Sequence, residues 1–187
     1  GTFDATSFEE LFQGTKNLPW EEWIGKDDAF PVKGYCLKSQ LFSVSDCQAI
    51  IKKAIVERLK SKYGISWFNE TGPIHQVQFS IMNDKATLLI DTTGAGLHKR
   101  GYRPEAGAAP LRETLAASIA LSTRPQEDIL FWDPFCGSGT IAIEAAMIAL
   151  NIAPGIYRKE FAFEKWIDFD QELFDRIYND ESQERAF

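Results

Sequence analysis

The chain has 187 residues with 20 basic and 27 acidic side chains, a formal net charge of −7, and is 44% hydrophobic and 25% charged. Those proportions belong to a globular chain of one large or two small domains, with no apolar run of membrane-spanning length and no signal-peptide pattern, so a cytoplasmic protein is expected. Cys36, Cys47 and Cys136 lack metal-ligand spacing and have only His75 and His98 to join them, so no metal is expected and the thiols read as reduced and structural.

The charge is uneven along the chain. Between Lys33 and Arg103 lie eleven basic residues against five acids, a net +6, which leaves −13 for the remainder. A basic middle between acidic ends suits one polyanion-facing module, the alternative being a solvated lysine-rich helix face. The chain opens Gly1-Thr2 and its methionines are Met82 and Met147, so residue 1 does not read as a native start and the sequence reads as a fragment.

Taken in order, Thr6-Ser7-Phe8-Glu9 reads as a capping box with Thr6 as N-cap, opening a short helix that Gly14 closes. A helical turn follows near Pro19, with Trp20 and Trp23 as packing residues because acids surround them. Residues 29–37 read as a strand that Pro31 starts or confines to an edge. Ser45–Lys62 is the clearest helix: Ser45 and Gln48 form a capping box, Gly64 stops it, and Cys47, Ile50, Ile51, Ala54, Ile55 and Leu59 recur on one face. Two strands, His75–Met82 and Ala86–Asp91, are joined through Asn83-Asp84-Lys85, which gives an antiparallel hairpin after a helix.

His98-Lys99-Arg100-Gly101-Tyr102-Arg103 puts cations, a ring and a glycine within six residues, a composition that can pair with phosphates and stack on an unpaired base. It could equally be a linker whose cations pair with the acidic second half. Pro110 reads as the first position of a helix carrying Leu111, Leu115 and Ile119.

Ile129-Leu130-Phe131-Trp132 then reads as a strand ending at Asp133, followed by a tight loop and an Ala/Ile-rich helix from Thr140 to Asn151. Pro134 forces the turn, Gly137 and Gly139 allow positive φ and close backbone approach by a ligand, and the first-turn amides of the helix face that ligand. An acid at the strand end adds an acceptor for hydroxyls or an amine, so the loop suits a nucleoside-like ligand. Gly137 through Ala142 also fits the dinucleotide pattern G-x-G-x-x-A, which leaves an NAD-dependent oxidoreductase open. Such a site needs an acid ~20 residues on at the end of a second strand, and Glu160 and Glu164 flank only Phe161-Ala162-Phe163, a poor strand. The tail from Phe161 to Phe187 is acidic and aromatic, with a helix expected from Asp170 to Tyr178.

The string Asp133-Pro134-Phe135-Cys136-Gly137-Ser138-Gly139-Thr140 with Glu144 behind it resembles motif I of S-adenosylmethionine-dependent amino-methyltransferases. Upstream, the strand, the Ser43-Val44-Ser45-Asp46-Cys47-Gln48 helix start, the hairpin and Asp91 through Arg103 resemble the C-terminal part of a THUMP domain. The similarity runs through Ala106–Ala117 into motif I, so it covers nearly the whole chain. It is that of bacterial THUMP-containing methyltransferases of guanine N2 in 23S ribosomal RNA, a family also described as N6-adenine-specific DNA methylases.

The resemblance implies an α+β THUMP-like domain followed by the first part of an α/β Rossmann-like methyltransferase domain. Its boundaries fall at 1–95, a linker at 96–108, and 109–187. It implies S-adenosyl-L-methionine as cofactor, held by Asp133, Pro134, Phe135, Cys136, Gly137, Ser138, Gly139, Thr140 and Glu144, with Glu144 fixing the loop amides. It also implies ribosomal RNA as partner, gripped by Lys38, Lys52, Lys53, His98, Lys99, Arg100, Tyr102 and Arg103, while Arg112, Glu113 and Thr114 stand either beside the cofactor pocket or on the solvent face of their helix.

The chain departs from the family in two respects, one being the absence of the second-strand acid that holds the cofactor ribose. No two of its eight prolines are adjacent, so the Asn/Asp-Pro-Pro-Tyr/Phe tetrad that holds the target amine is absent, and no catalytic residue is assigned. An exocyclic amine is a poor nucleophile that needs such acceptors and alignment. The expectation is a polypeptide that is inert by itself, binds the cofactor weakly, and is poorly stable over 105–187 unless further strands are supplied, self-association being one source of them. A DNA N6-adenine methylase and a non-catalytic RNA-binding module remain the other readings.

Overall fold

The computed structural model describes residues 1–102, 111–126 and 128–179. It divides into two compact units, Gly1–Gly94 with Ala162–Phe169, and Ala95–Phe161 with Asp170–Phe187. No helix among the described residues is long and apolar enough to cross a membrane.

In the first unit, strand β1 (Thr2–Asp4) leads into helix α1 (Phe8–Lys16). The capping box stands one residue later than the sequence suggested. Ser7 Oγ accepts from the Glu10 amide while Glu10 accepts from the Ser7 amide, and Thr6 adds its own amide and hydroxyl to the same carboxylate at 2.7 Å. Gly14 does not close the helix. It lies within it, where a Cβ would stand 2.3 Å from the Phe3 ring, so the glycine admits β1 against α1. A 3-10 turn, Trp20–Glu22, buries Trp20 and leaves Trp23 45% exposed.

Strand β2 (Val32–Leu37), helix α2 (Val44–Tyr63), strand β3 (Gln76–Met82) and strand β4 (Lys85–Asp91) complete the unit. Among the described residues the four strands form one sheet in the order β1-β4-β3-β2. β3 and β4 make the expected hairpin, with Asn83 and Asp84 both at positive φ, which short Asx side chains tolerate. The parallel pairing of β2 with β3 was not foreseen; it makes α2 a crossover.

The buried face of α2 is Cys47, Ile51, Ala54, Ile55 and Leu59, and Gly64 ends it in the left-handed conformation, as the periodicity predicted. The Ser45–Gln48 box does not form. Ser43 is the N-cap, and the Gln48 amide donates instead to the Val32 carbonyl at 2.6 Å, tying α2 to β2. Leu11, Ile24, Phe30, Val77, Ile81 and Leu88 fill the core between the helices and the sheet.

A late segment closes this unit. Phe163 donates its amide to the Thr92 carbonyl, and the Trp166 ring stacks on buried His75 at 4.5 Å. His75 Nε2 lies 2.8 Å from Asp28 Oδ2.

The second unit holds helices α3 (Glu113–Thr123), α4 (Thr140–Ala149) and α5 (Gln171–Tyr178). Ala116 and Ala120 of α3, with Ala145 and Met147 of α4, are its buried apolar side chains among the described residues, and the three alanines permit close helix approach. The expected start at Pro110 lies outside the described residues; Arg112 is the N-cap of α3. Asp170 caps α5 by accepting from the Leu173 amide, as foreseen. Residues 129–132 do not form a strand. Leu130 is 91% and Trp132 79% exposed, because a ladder needs a neighbouring strand and no described residue pairs with this segment.

Candidate functional site

The loop before α4 is built by its own side chains and glycines. Asp133 Oδ1 accepts from the Phe135 amide at 3.1 Å, turning the chain at Pro134, and the Gly139 amide donates to the Cys136 carbonyl at 2.7 Å. Gly137 and Gly139 sit at φ of 54° and 73°, and a Cβ on either would meet nothing within 4 Å. The glycines are therefore required for backbone conformation, and the space above them is open.

Asp133 Oδ2 is buried and has no hydrogen-bond partner among the described residues. Gly139 accepts the first helical bond from Ile143, leaving the amides of the first turn at the helix mouth. Ser138 and Thr140 hydroxyls lie 3.3 Å apart, while Phe135 is 93% exposed. An acceptor at one end, helix amides at the other and open glycines between them can hold a ligand that carries hydroxyls or an amine.

Residues 5–91 match the THUMP domain family, and residues 100–186 match the family described as RMKL-like, methyltransferase domain. The YpsC protein of Bacillus subtilis strain 168, whose name provisionally assigns it RNA methyltransferase activity, is 48% identical over 94% of this chain and 46% of its own length. A ribosomal RNA large subunit methyltransferase K/L from Psychromonas ingrahamii is 41% identical over 94% of this chain and 23% of its own.

A crystal structure from Listeria monocytogenes, described as a predicted N6-adenine-specific DNA methylase, superposes with a TM-score of 0.92 at 50% identity, covering 98% of this chain and 48% of that one. Another neighbour, SMU.472, named provisionally as a methyltransferase and solved in complex with SAH, has a TM-score of 0.89 at 44% identity over 98% of this chain and 49% of its own. The chain thus spans half or less of each. It is a THUMP domain followed by the N-terminal part of an RMKL-like methyltransferase domain.

In the methyltransferase part, Glu144 is one turn beyond the loop and buried. Its Oε1 accepts from the Tyr102 hydroxyl at 2.8 Å and stands 3.5 Å from Arg100 Nε. The carboxylate therefore faces the basic segment; no bond to the loop amides is among those described. Arg100 and Tyr102, expected to meet RNA, point their polar ends at this acid, whereas Lys99 is exposed and His98 half-buried. Arg103 lies outside the described residues. Arg112, Glu113 and Thr114 occupy the N-cap and first turn of α3.

Arg158 was missed by the sequence reading. It donates to the carbonyls of Ala95 at 2.7 Å, Gly96 at 3.2 Å and Lys99 at 3.0 Å, and nothing local to the sequence announces a cation that gathers carbonyls some sixty residues earlier.

In the THUMP domain, Lys38 and Lys53 are exposed, Lys38 with positive φ and Lys53 5.7 Å from the Phe12 ring centroid. Lys52 differs. Its ammonium donates to the Phe30 carbonyl at 3.0 Å and to Glu70 at 2.7 Å, lies over the Phe30 ring, and burial pushes its pKa down. It fastens α2 to the Phe30 segment, so its ammonium is already committed within the domain.

Proposed function

We propose that this polypeptide supplies the RNA-gripping and cofactor-holding parts of an S-adenosylmethionine-dependent RNA methyltransferase that modifies an exocyclic amine, guanine N2 of large-subunit ribosomal RNA being the target. The observation that carries the reading is the loop Asp133–Thr140, in which a buried carboxylate oxygen without a hydrogen-bond partner among the described residues, two open positive-φ glycines and a helix mouth converge. These features fit the group. Asp133 Oδ2 would accept from a ligand hydroxyl or amine, Gly137 and Gly139 would let its body approach the backbone, and the α4 amides would take its negative end.

When bound, the cofactor supplies an electrophilic methyl on a sulfonium. Lys99, Lys38 and Lys53 would pair with RNA phosphates, and His98 would offer a ring to an unpaired base. What this chain does not supply is an adjacent-proline tetrad to strip and align the target amine, so the 187-residue polypeptide transfers no methyl group by itself. The dinucleotide reading finds less support, since Glu164 lies within a 3-10 turn, Ala162–Lys165, rather than at the end of the strand such a site requires.

The test is a fusion of this chain to the remaining half of the Bacillus subtilis relative. Incubated with labelled cofactor and undermethylated ribosomal RNA, it is expected to yield N2-methylguanosine by nucleoside mass spectrometry. The description of the Listeria structure favours DNA adenine instead; N6-methyladenosine in DNA with unmodified RNA would overturn the proposal.

A further inference from the structure

We infer that Glu144 is a positioning residue that ties the basic segment His98–Tyr102 to the mouth of the cofactor loop through Tyr102 and Arg100, so that RNA on the segment and cofactor in the loop are energetically coupled. The inference deepens the proposed function and rests on it for the identity of the two ligands.

Three observations within the second unit support it. Glu144 is 2% exposed, and a buried carboxylate persists only when paired. The partners found are the Tyr102 hydroxyl, hydrogen-bonded at 2.8 Å, and Arg100 Nε, in an ion pair at 3.5 Å, the latter a buried nitrogen with no hydrogen-bond partner among the described residues. Both come from one short stretch of chain. That stretch is itself held rigidly: Arg158 binds three of its preceding carbonyls, and Gly101, at φ of 94°, packs so closely that a Cβ would stand 1.9 Å from the Tyr157 carbonyl oxygen.

Glu144 lies in the first turns of α4, whose N-cap is Gly139. A displacement of the basic segment therefore pulls on the helix that sets the loop amides, and a ligand that orders those amides pulls back. Coupling of this kind is reciprocal and carried by a contiguous rigid element. It also divides the segment's labour: Arg100 and Tyr102 act inward, while Lys99 and His98 are left to meet the phosphate and base.

The test uses the whole 187-residue chain with Tyr102→Phe, which removes one hydroxyl, and Glu144→Gln, which keeps an acceptor for Tyr102 and removes the charge facing Arg100. Hydrogen exchange is expected to accelerate about fivefold at the amides of Gly139, Thr140 and Ile141 in Tyr102→Phe, and less in Glu144→Gln. A short single-stranded RNA should slow those amides in the parent chain and in neither variant, and SAH affinity should fall about fivefold in Tyr102→Phe.

Exchange that rises equally along α3 and α4 would show a merely structural bond and overturn the inference, as would unchanged exchange in a chain that binds SAH. A parent chain that binds no SAH yet shows the local acceleration and the RNA response would refute the proposed cofactor while leaving the positioning role in place.

Discussion

Glu21 and His75 show how single side chains set the acid limit of the THUMP domain. The Arg58 guanidinium hydrogen-bonds Glu21 and, with Lys62 3.3 Å away, holds its carboxyl down at about 2 against an ordinary 4.5. A depressed carboxyl stabilises the fold fully above its unfolded pKa, and that stability drains away as pH falls from 4.5 toward 2. After solvent screening the contribution is about 1–2 kcal/mol.

His75 is also depressed, by burial, with Asp28 and Asp168 pulling the other way. Neutral in the fold and protonated in the unfolded chain, it begins to cost stability as pH falls below its ordinary 6.5. Urea unfolding across pH 7.5 to 2.5 should therefore show two successive declines, and Glu21→Gln should shrink the lower one only, since Glu10 and Asp91 are depressed by their own hydrogen bonds. A single decline unaltered by that substitution would contradict the assignment.

None of this was legible in the sequence, because Glu21 and Arg58 are 37 residues apart and only the tertiary fold joins them. The motif loop was legible, since Asp133, the two glycines and the helix start are consecutive and their chemistry is local.

At the scale of elements, the long helix α2 and the β3–β4 hairpin were readable from periodicity and from a turn whose residues tolerate positive φ. The errors arose where distant partners decide. Gln48 left its capping role for the Val32 carbonyl, β1 found its place only by pairing with β4, and residues 129–132 have strand-forming side chains without a neighbouring strand among the described residues. The Ala162–Phe169 segment is the clearest such case: it lies within the methyltransferase match yet packs with the THUMP domain, through a tryptophan stacked on a buried histidine. Trp166→Ala should lower the unfolding free energy by about 3 kcal/mol, with Trp166→Phe retaining much of it. A loss below about 1 kcal/mol in guanidinium unfolding would show that the segment merely rests there.

For the whole molecule, the two units differ in how much apolar surface they bury. The first encloses an extended core from Ala5 to Leu88, whereas the described residues of the second bury mainly alanines and Met147 and leave Leu115, Leu121, Leu150 and Ile177 at least 47% exposed along with the motif segment. The first half thus carries a domain with a core of its own, and the second sets its glycine loop on a sparsely packed support.

The most direct check is an NMR titration of the 187-residue chain with SAH and, separately, with NAD. Saturable shifts are expected at the Gly137, Gly139 and Thr140 amides with SAH alone, at a Kd on the order of 0.1–1 mM, with their loss in Asp133→Ala. Equal shifts with NAD, or none at those amides at millimolar SAH, would contradict the proposed cofactor.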